Sequence, residues 1–315
     1  MAVFTKLNRD EINNFISGYD LGNVDTYSEI VEGIENTNYK VVCNGVPYIL
    51  TIFEKRVNDE DLPFFIELKI FLNKNNFKCP QPIKNKKGEI INSLKSKKAI
   101  IISFIEGKKI NVPNKNDCHE IGKIVGQLHH CSSNFNKKRY NSLNISELRK
   151  IFNKCKNENN VEFNEVYNTL DIEIKFLEKA WPKNLPSGII HADLFRDNVF
   201  FDKGQITGVI DFYFSCYHFF LYDLSIVIND WCFENNGSSF NKDLFNSVIR
   251  GYNLSRNLEK SEIEAFNLIL RVAAVRILVT RLHDFIFHPN DAVVVKKDPY
   301  QYLNILHWHQ LNKVY

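Results

Sequence analysis

Apolar positions along this chain follow two regimes. The N-terminal third is built of short continuous or alternating apolar runs, and the rest recurs at helical spacing. Asn8 to Tyr19 carries Ile12, Phe15 and Ile16 on one face behind a capping Asn8 or Asp10, so it predicts a helix that Asp20-Leu21-Gly22 ends. Tyr27 to Ile34, Asn38 to Cys43 and Val46 to Phe53 read as three strands, the last two joined by the two-residue turn Asn44-Gly45. Asp59 to Asn75 predicts a helix with Leu62-Pro63 near its start and Phe65, Leu68, Phe71 and Leu72 facing inward. Cys79-Pro80-Gln81-Pro82 breaks it, a hairpin follows, and Ala99 to Phe104 reads as a fully buried strand. Glu106-Gly107 reads as a hinge.

Beyond that point the spacing predicts helices over Asp117 to Cys131, Ser146 to Lys156, Glu162 to Ala180, Tyr222 to Phe233, Lys242 to Tyr252 and Glu262 to Phe285. The pattern is α+β, with a helix-supported antiparallel sheet over residues 1–104 and a mostly helical part over 105–315.

Composition narrows the class. The 315 residues are 44% hydrophobic, enough for a large core and two lobes. Forty basic residues face 37 acidic ones, for a formal charge of +3, too balanced to suggest a nucleic-acid or membrane partner. The lysines near 84–87 and 95–98 read as solvated hairpins. Seven cysteines with no CxxC pair point to reduced, buried thiols ahead of a disulfide frame or zinc site. With no basic-then-apolar leader and no run of eighteen apolar residues, a soluble cytoplasmic protein is expected.

The chemistry concentrates in Ile189-Ile-His191-Ala-Asp193-Leu-Phe-Arg-Asp-Asn198-Val-Phe-Phe201, which reads as strand, polar loop, strand. Ten residues on, Gly208-Val-Ile-Asp211-Phe212 is a second buried strand ending on a carboxylate. With Lys203-Gly204 as the turn, the pattern predicts Asp193, Asn198 and Asp211 at one end of a small sheet. That trio suits phosphoryl transfer from a nucleotide: Asp193 orients the attacking hydroxyl, while Asn198 and Asp211 hold magnesium ions on the phosphates. His191, two residues before the base, belongs to the scaffold of the loop.

Other charges sit on apolar helices. Asp223 and Asp230 lie two turns apart and face the same way. Arg271, Arg276 and Arg281 lie in an equally apolar stretch. Such groups either pair structurally or line a cleft. A zwitterionic substrate would need a carboxylate such as Asp230 and an Arg fork such as Arg276 or Arg281. His129 and His130 close their helix and read as cap or core groups. The turn from Glu32 to Asn38 holds one Gly, and the Asn36 and Asn38 side chains are candidate phosphate donors.

His191-Ala-Asp193 to Asn198, together with Ile210-Asp211-Phe212, resembles the aminoglycoside phosphotransferase and choline kinase group of small-molecule kinases. Tyr19 to Gly22, Glu32 to Tyr39, Tyr48 to Arg56, Asp61 to Phe65, Pro80 to Pro82, Asp211 to Cys216, Asn229 to Glu234, Thr280 to Asp284 and Lys297 to Tyr302 narrow the resemblance to its homoserine kinase branch, nearly end to end. It implies a bilobal protein-kinase-like fold, ATP and Mg²⁺ as cofactors, and phosphorylation of the L-homoserine hydroxyl in threonine biosynthesis. Asp193 would be the catalytic base, Asn198 and Asp211 the metal ligands, and Ser103-Phe104-Ile105 the hinge backbone facing adenine. The strand position that usually carries a phosphate-binding lysine falls on Thr51. Lys40, Lys55 and Arg56 are then the open alternatives, with Glu67 as partner of whichever serves. A kinase of another small alcohol and a catalytically inactive nucleotide-binding relative are the competing readings.

Overall fold

The computed structural model describes residues 4–31, 36–54, 57–287 and 296–315. The chain divides into two compact units. One takes the described residues up to Gly107 together with Gly208–Tyr213, and the other takes Lys108–Thr207 and Phe214 onward.

In the first unit, helix α1 (Arg9–Ile16) starts from a capping box: the Asn8 side chain accepts the Glu11 N–H and the Glu11 side chain accepts the Asn8 N–H. It stops three residues short of Tyr19, whose N–H turns back to the Ile16 carbonyl at 2.8 Å. Strands β1 (Val24–Ile30), β2 (Asn36–Cys43), β3 (Val46–Phe53), β4 (Asn92–Leu94) and β5 (Lys97–Ser103) form one antiparallel sheet in the order β1-β2-β3-β5-β4. Asn44 and Gly45 both take positive φ, +46° and +77°, as a tight hairpin turn matching strand twist requires. The first strand begins at Val24, ahead of the expected Tyr27; its expected end at Ile34 lies outside the described residues. Ile12, Tyr39, Val41, Leu50, Ile52 and Ile101 make a fully buried core between α1 and the sheet.

Helix α2 (Leu62–Lys74) follows a single 3₁₀ turn, with Pro63 in its first turn where no N–H is needed. Phe65, Leu68 and Leu72 are buried as the spacing predicts, but Phe71 is only half-buried, and Lys69 takes an interior position.

The second unit is mainly helical: α3 (Lys115–Ser132), α4 (Ile145–Asn157), α5 (Asn164–Ala180), then the short strands β6 (Ser187–Ile190), β7 (Val199–Asp202), β8 (Gln205–Val209) and β9 (Cys216–Phe219), followed by α6 (Phe220–Trp231), α7 (Lys242–Tyr252), α8 (Lys260–Phe287) and α9 (Tyr300–Leu311). Every residue of α6 is buried. Helices α3 and α7 cross at backbone distance, because a Cβ on Gly122 would stand 2.0 Å from the Val248 carbonyl oxygen and one on Gly251 would stand 2.0 Å from that of His119. Among the described residues no helix is long and apolar enough to cross a membrane.

Strand pairing around the motif gives two separate ladders in place of the one small sheet expected. β6 pairs with β9, Ile190 opposite Cys216, while β7 pairs with β8 about the Lys203-Gly204 turn. The loop carrying Asp193 therefore connects two separate ladders. Helix α9 was not anticipated, although Tyr302, Leu303, Ile305, Leu306 and His309 bury one continuous face.

Candidate active site

The loop after β6 is strained at its second residue. Ala192 has φ +62°, a region that residues with a Cβ adopt at a cost of about 1–3 kcal/mol unless the surroundings hold them there. They do so here. Asp223 of α6, fully buried, accepts the His191 N–H at 3.0 Å on one oxygen and the Ala192 N–H at 2.8 Å on the other. Behind Asp223 runs a directional chain. Arg256 donates to the Tyr252 hydroxyl at 2.8 Å, and the hydroxyl lies 2.9 Å from His129 Nδ1. His129 Nε2 then lies 3.1 Å from Asp223. Burial holds the His129 imidazole below its ordinary range despite the carboxylate beside it. With Nδ1 accepting from Tyr252, the neutral ring donates from Nε2. Burial works to raise the Asp223 pKa, but the His129 hydrogen bond and the charges and amides around it leave it lowered. A neutral histidine and an ionised aspartate satisfy both directions. His191, wholly buried, accepts the Asp193 N–H at 3.2 Å.

Asp193 is then held from two sides. Its Oδ1 accepts from both Nη atoms of Arg276, each at 3.2 Å, and its Oδ2 accepts from Asn198 Nδ2 at 3.1 Å. Asn198 Nδ2 also donates to the Asp193 carbonyl at 2.8 Å. The amide nitrogen of Asn198 is thus spent on Asp193, and its carbonyl oxygen is turned elsewhere. That orientation fits a magnesium ligand, since the ion takes oxygen donors only. The structure brings Asp193, Asn198 and Arg276 together, and Trp231 Nε1 pins the loop from below through the Leu194 carbonyl at 3.1 Å.

The remaining charged candidates have protein partners. Asp230 accepts the Arg196 N–H at 2.9 Å and its Nε–H at 3.1 Å, so the two aspartates on one face of α6 brace the two ends of the same loop. Arg271 forms a two-pronged pair with Glu173 at 2.7 Å. Arg281 Nη1 donates to Gln301 Oε1 at 2.6 Å and to the Asp298 carbonyl at 3.0 Å, and its guanidinium lies 4.5 Å from the centroid of the Tyr302 ring. Tyr302 is fully buried, and its hydroxyl has no hydrogen-bond partner among the described residues. Burial and the Asp230 charge push that hydroxyl's pKa up, against the pull of Arg281, Arg196 and Arg276. Sequence reasoning gave Tyr302 no role of its own, because the helix that buries it was itself not predicted.

In the first unit, Asn36 and Asn38 lie within β2, not in the turn before it. Asn38 Oδ1 accepts from Thr51 Oγ1 at 2.8 Å directly across the ladder, and Asn36 Oδ1 accepts the Glu54 N–H at 3.4 Å. Thr51 is thus a buried cross-strand partner. The turn Glu32–Glu35 and two of the cation candidates, Lys55 and Arg56, lie outside the described residues. Lys40 lies with its ammonium 4.4 Å from the centroid of the Phe104 ring. The Ser103 N–H donates to the Gln81 carbonyl at 2.9 Å, and the Ser103 hydroxyl accepts the Gln81 N–H at 2.9 Å. Phe104 and Ile105 follow the end of β5, and among the described residues their backbone groups make no hydrogen bond.

Asp211 comes two residues after β8, with φ +64°, in the left-handed region that aspartate tolerates better than most residues. Helix α2 sends the Lys69 side chain toward this segment. Lys69 is 3% exposed, and its ammonium lies 5.2 Å from the centroid of the Tyr213 ring. Burial lowers its pKa to about 8, opposed by Cys79 and Asp211. No sequence signal singled it out, because a lone lysine in a helix reads as part of the solvated face.

Residues 26–252 match the model of the phosphotransferase enzyme family. The chain is 41% identical over 310 residues to a homoserine kinase of Parvibaculum lavamentivorans, covering 98% of this chain and 96% of that one. It is 40% identical over the same length and coverage to a homoserine kinase of Agrobacterium fabrum. Among solved structures it is similar to an amicoumacin kinase in complex with AMP-PNP and Ca²⁺, with a TM-score of 0.70 over 96% of this chain and 92% of that one; at 14% identity this speaks for the kinase-like fold alone. The chain belongs to the phosphotransferase enzyme family and, within it, to the homoserine kinases.

Proposed function

We propose that this chain transfers the γ-phosphoryl group of ATP to the side-chain hydroxyl of L-homoserine, a step of threonine biosynthesis. The observation that carries the reading is the bracing of Asp193. A carboxylate fixed by Arg276 on one oxygen and Asn198 on the other is pre-set to orient one incoming hydroxyl. The new O–P bond forms as the bond to the leaving ADP oxygen breaks, and the hydroxyl proton passes to Asp193. Phosphoryl transfer asks little covalent chemistry of the protein, so positioning and charge neutralisation carry the rate.

Asn198 and Asp211 would hold the magnesium ion, which neutralises phosphate charge when bound. Phe104 and Ile105 would offer backbone groups to adenine. Of the three charged residues expected at the substrate, we retain Arg281 for the homoserine carboxylate. Asp230 and Arg276 we assign to bracing the loop and Asp193.

A coupled ADP-release assay with Mg-ATP, run on L-homoserine, L-serine, L-threonine, choline and kanamycin, tests this. Turnover should be confined to homoserine, and Asp193→Asn should lower kcat by roughly 10²–10⁴-fold with ATP still bound. Turnover on another of these alcohols alone would remove the substrate assignment, and an unchanged kcat in Asp193→Asn would remove the mechanism.

A further inference from the structure

Burying a lysine in a helix is costly unless its ammonium finds acceptors, since three N–H donors and a charge leave water together. Lys69 is buried almost completely on α2, yet among the described residues no oxygen or sulfur accepts a hydrogen bond from its Nζ. What it has is the face of Tyr213, a contact that returns only part of the lost hydration. Tyr213 is itself fixed in place. Its ring meets Phe53 at the end of β3 edge-on at 5.4 Å, and Phe65 of α2 at 5.5 Å. The platform beneath the ammonium is therefore rigid and shared by β3, α2 and the segment that carries Asp211.

β3 itself supplies no cation among its described residues. Thr51 stands where a lysine would be expected, and its hydroxyl is consumed by Asn38. A kinase still needs positive charge on the transferred phosphates. Here the charge sits one element further along the chain, without a hydrogen-bond acceptor among the described residues, beside the aspartate assigned to the metal.

We propose that Lys69 is the phosphate-binding cation of this chain, delivered from helix α2 in place of a lysine on β3. The proposal rests on the kinase reading above and deepens it. Phosphate oxygens supply the acceptors that the ammonium lacks, and Tyr213 holds the stem in line. Lys69 binds and positions the nucleotide; it takes no proton in the reaction.

Titration calorimetry with ATP, ADP and adenosine on wild type and Lys69→Met tests it, alongside KM for each substrate. Methionine keeps the length and the helix while removing the charge. Affinity for ATP and its KM should worsen by roughly 10–100-fold, with adenosine affinity and the homoserine KM unchanged. Unchanged ATP affinity in a folded Lys69→Met protein would overturn the proposal. If that variant fails to fold, wild type decides. NMR of wild type carrying ¹⁵N-lysine should show the Lys69 Nζ resonance moved by ATP and not by adenosine, and an equal response to both would again overturn it. Because these readouts are of binding, wild-type protein that ignores homoserine would remove the substrate assignment while leaving Lys69 to be judged separately.

Discussion

Both Nη atoms of Arg276 lie 3.2 Å from a single oxygen of Asp193, with Arg276 only 4% exposed. The guanidinium fork holds the carboxylate in one rotation, a task that a lysine ammonium performs as a point charge only. Arg276→Lys should therefore keep the charge and lose the geometry. Expected is a fall in kcat of roughly 10–100-fold with ATP affinity intact, measured by steady-state kinetics beside nucleotide titration. A matching loss of ATP affinity would place Arg276 on the nucleotide instead.

Asp230 separates two roles cleanly. As a brace on Arg196 it should act on kcat and stability. As a contact to the homoserine ammonium it would act on KM alone. Asp230→Asn is expected to lower kcat and destabilise the fold by about 1–3 kcal/mol, read by urea unfolding, with the homoserine KM within a factor of two or so.

The Tyr302 hydroxyl, unpartnered among the described residues, makes a prediction of unusual sign. Removing a buried hydroxyl that has no hydrogen bond should cost no stability and can add some. Tyr302→Phe should therefore unfold no more readily than wild type. If homoserine supplies the missing acceptor beside Arg281, its KM should rise roughly tenfold in the same variant. An unchanged KM would make Tyr302 a packing residue.

His218 ties stability to pH. Burial lowers its pKa from the ordinary 6.5 to about 4, and it packs against Trp181, Phe219 and Tyr222. As pH falls below about 6.5 the unfolded chain takes the proton first, so stability is full above that value and declines as pH falls toward about 4. The slope from this residue approaches about 1.4 kcal/mol per pH unit. His218→Phe should flatten unfolding free energy against pH across that window, and an identical slope would remove His218 as the cause.

Much of this was legible beforehand because local signals agreed with the fold. Alternation in β2, the apolar run of β3, the Asn44-Gly45 turn and the capping Asn8 all point one way, and the loop from His191 to Asn198 announces itself by residue type and spacing. Strand pairing was not legible: β6 joins β9, a partner separated by the whole loop and a second hairpin, and no local pattern encodes that choice. The charged groups show the same limit. Two aspartates on one face of α6 were visible, but whether they met substrate or backbone depended on where Ala192 and Arg196 folded back. Lys69 and Tyr302 were invisible because burial of a polar residue is a property of the whole packing and not of its neighbours in sequence.

The crossing of α3 and α7 at Gly122 and Gly251 has a kinetic corollary. Tyr252 follows directly after one of these glycines and His129 lies two turns beyond the other, so the backbone contact sets the spacing of the pair that orients Asp223. With no side chains between them to slip or rotate, the two helices have no partial way to separate. Their amide hydrogens should then exchange with solvent only when the second unit unfolds as a whole, at rates set by its global stability. The seat of Asp193 would inherit that slow clock, while parts of the chain without such a contact keep a faster one.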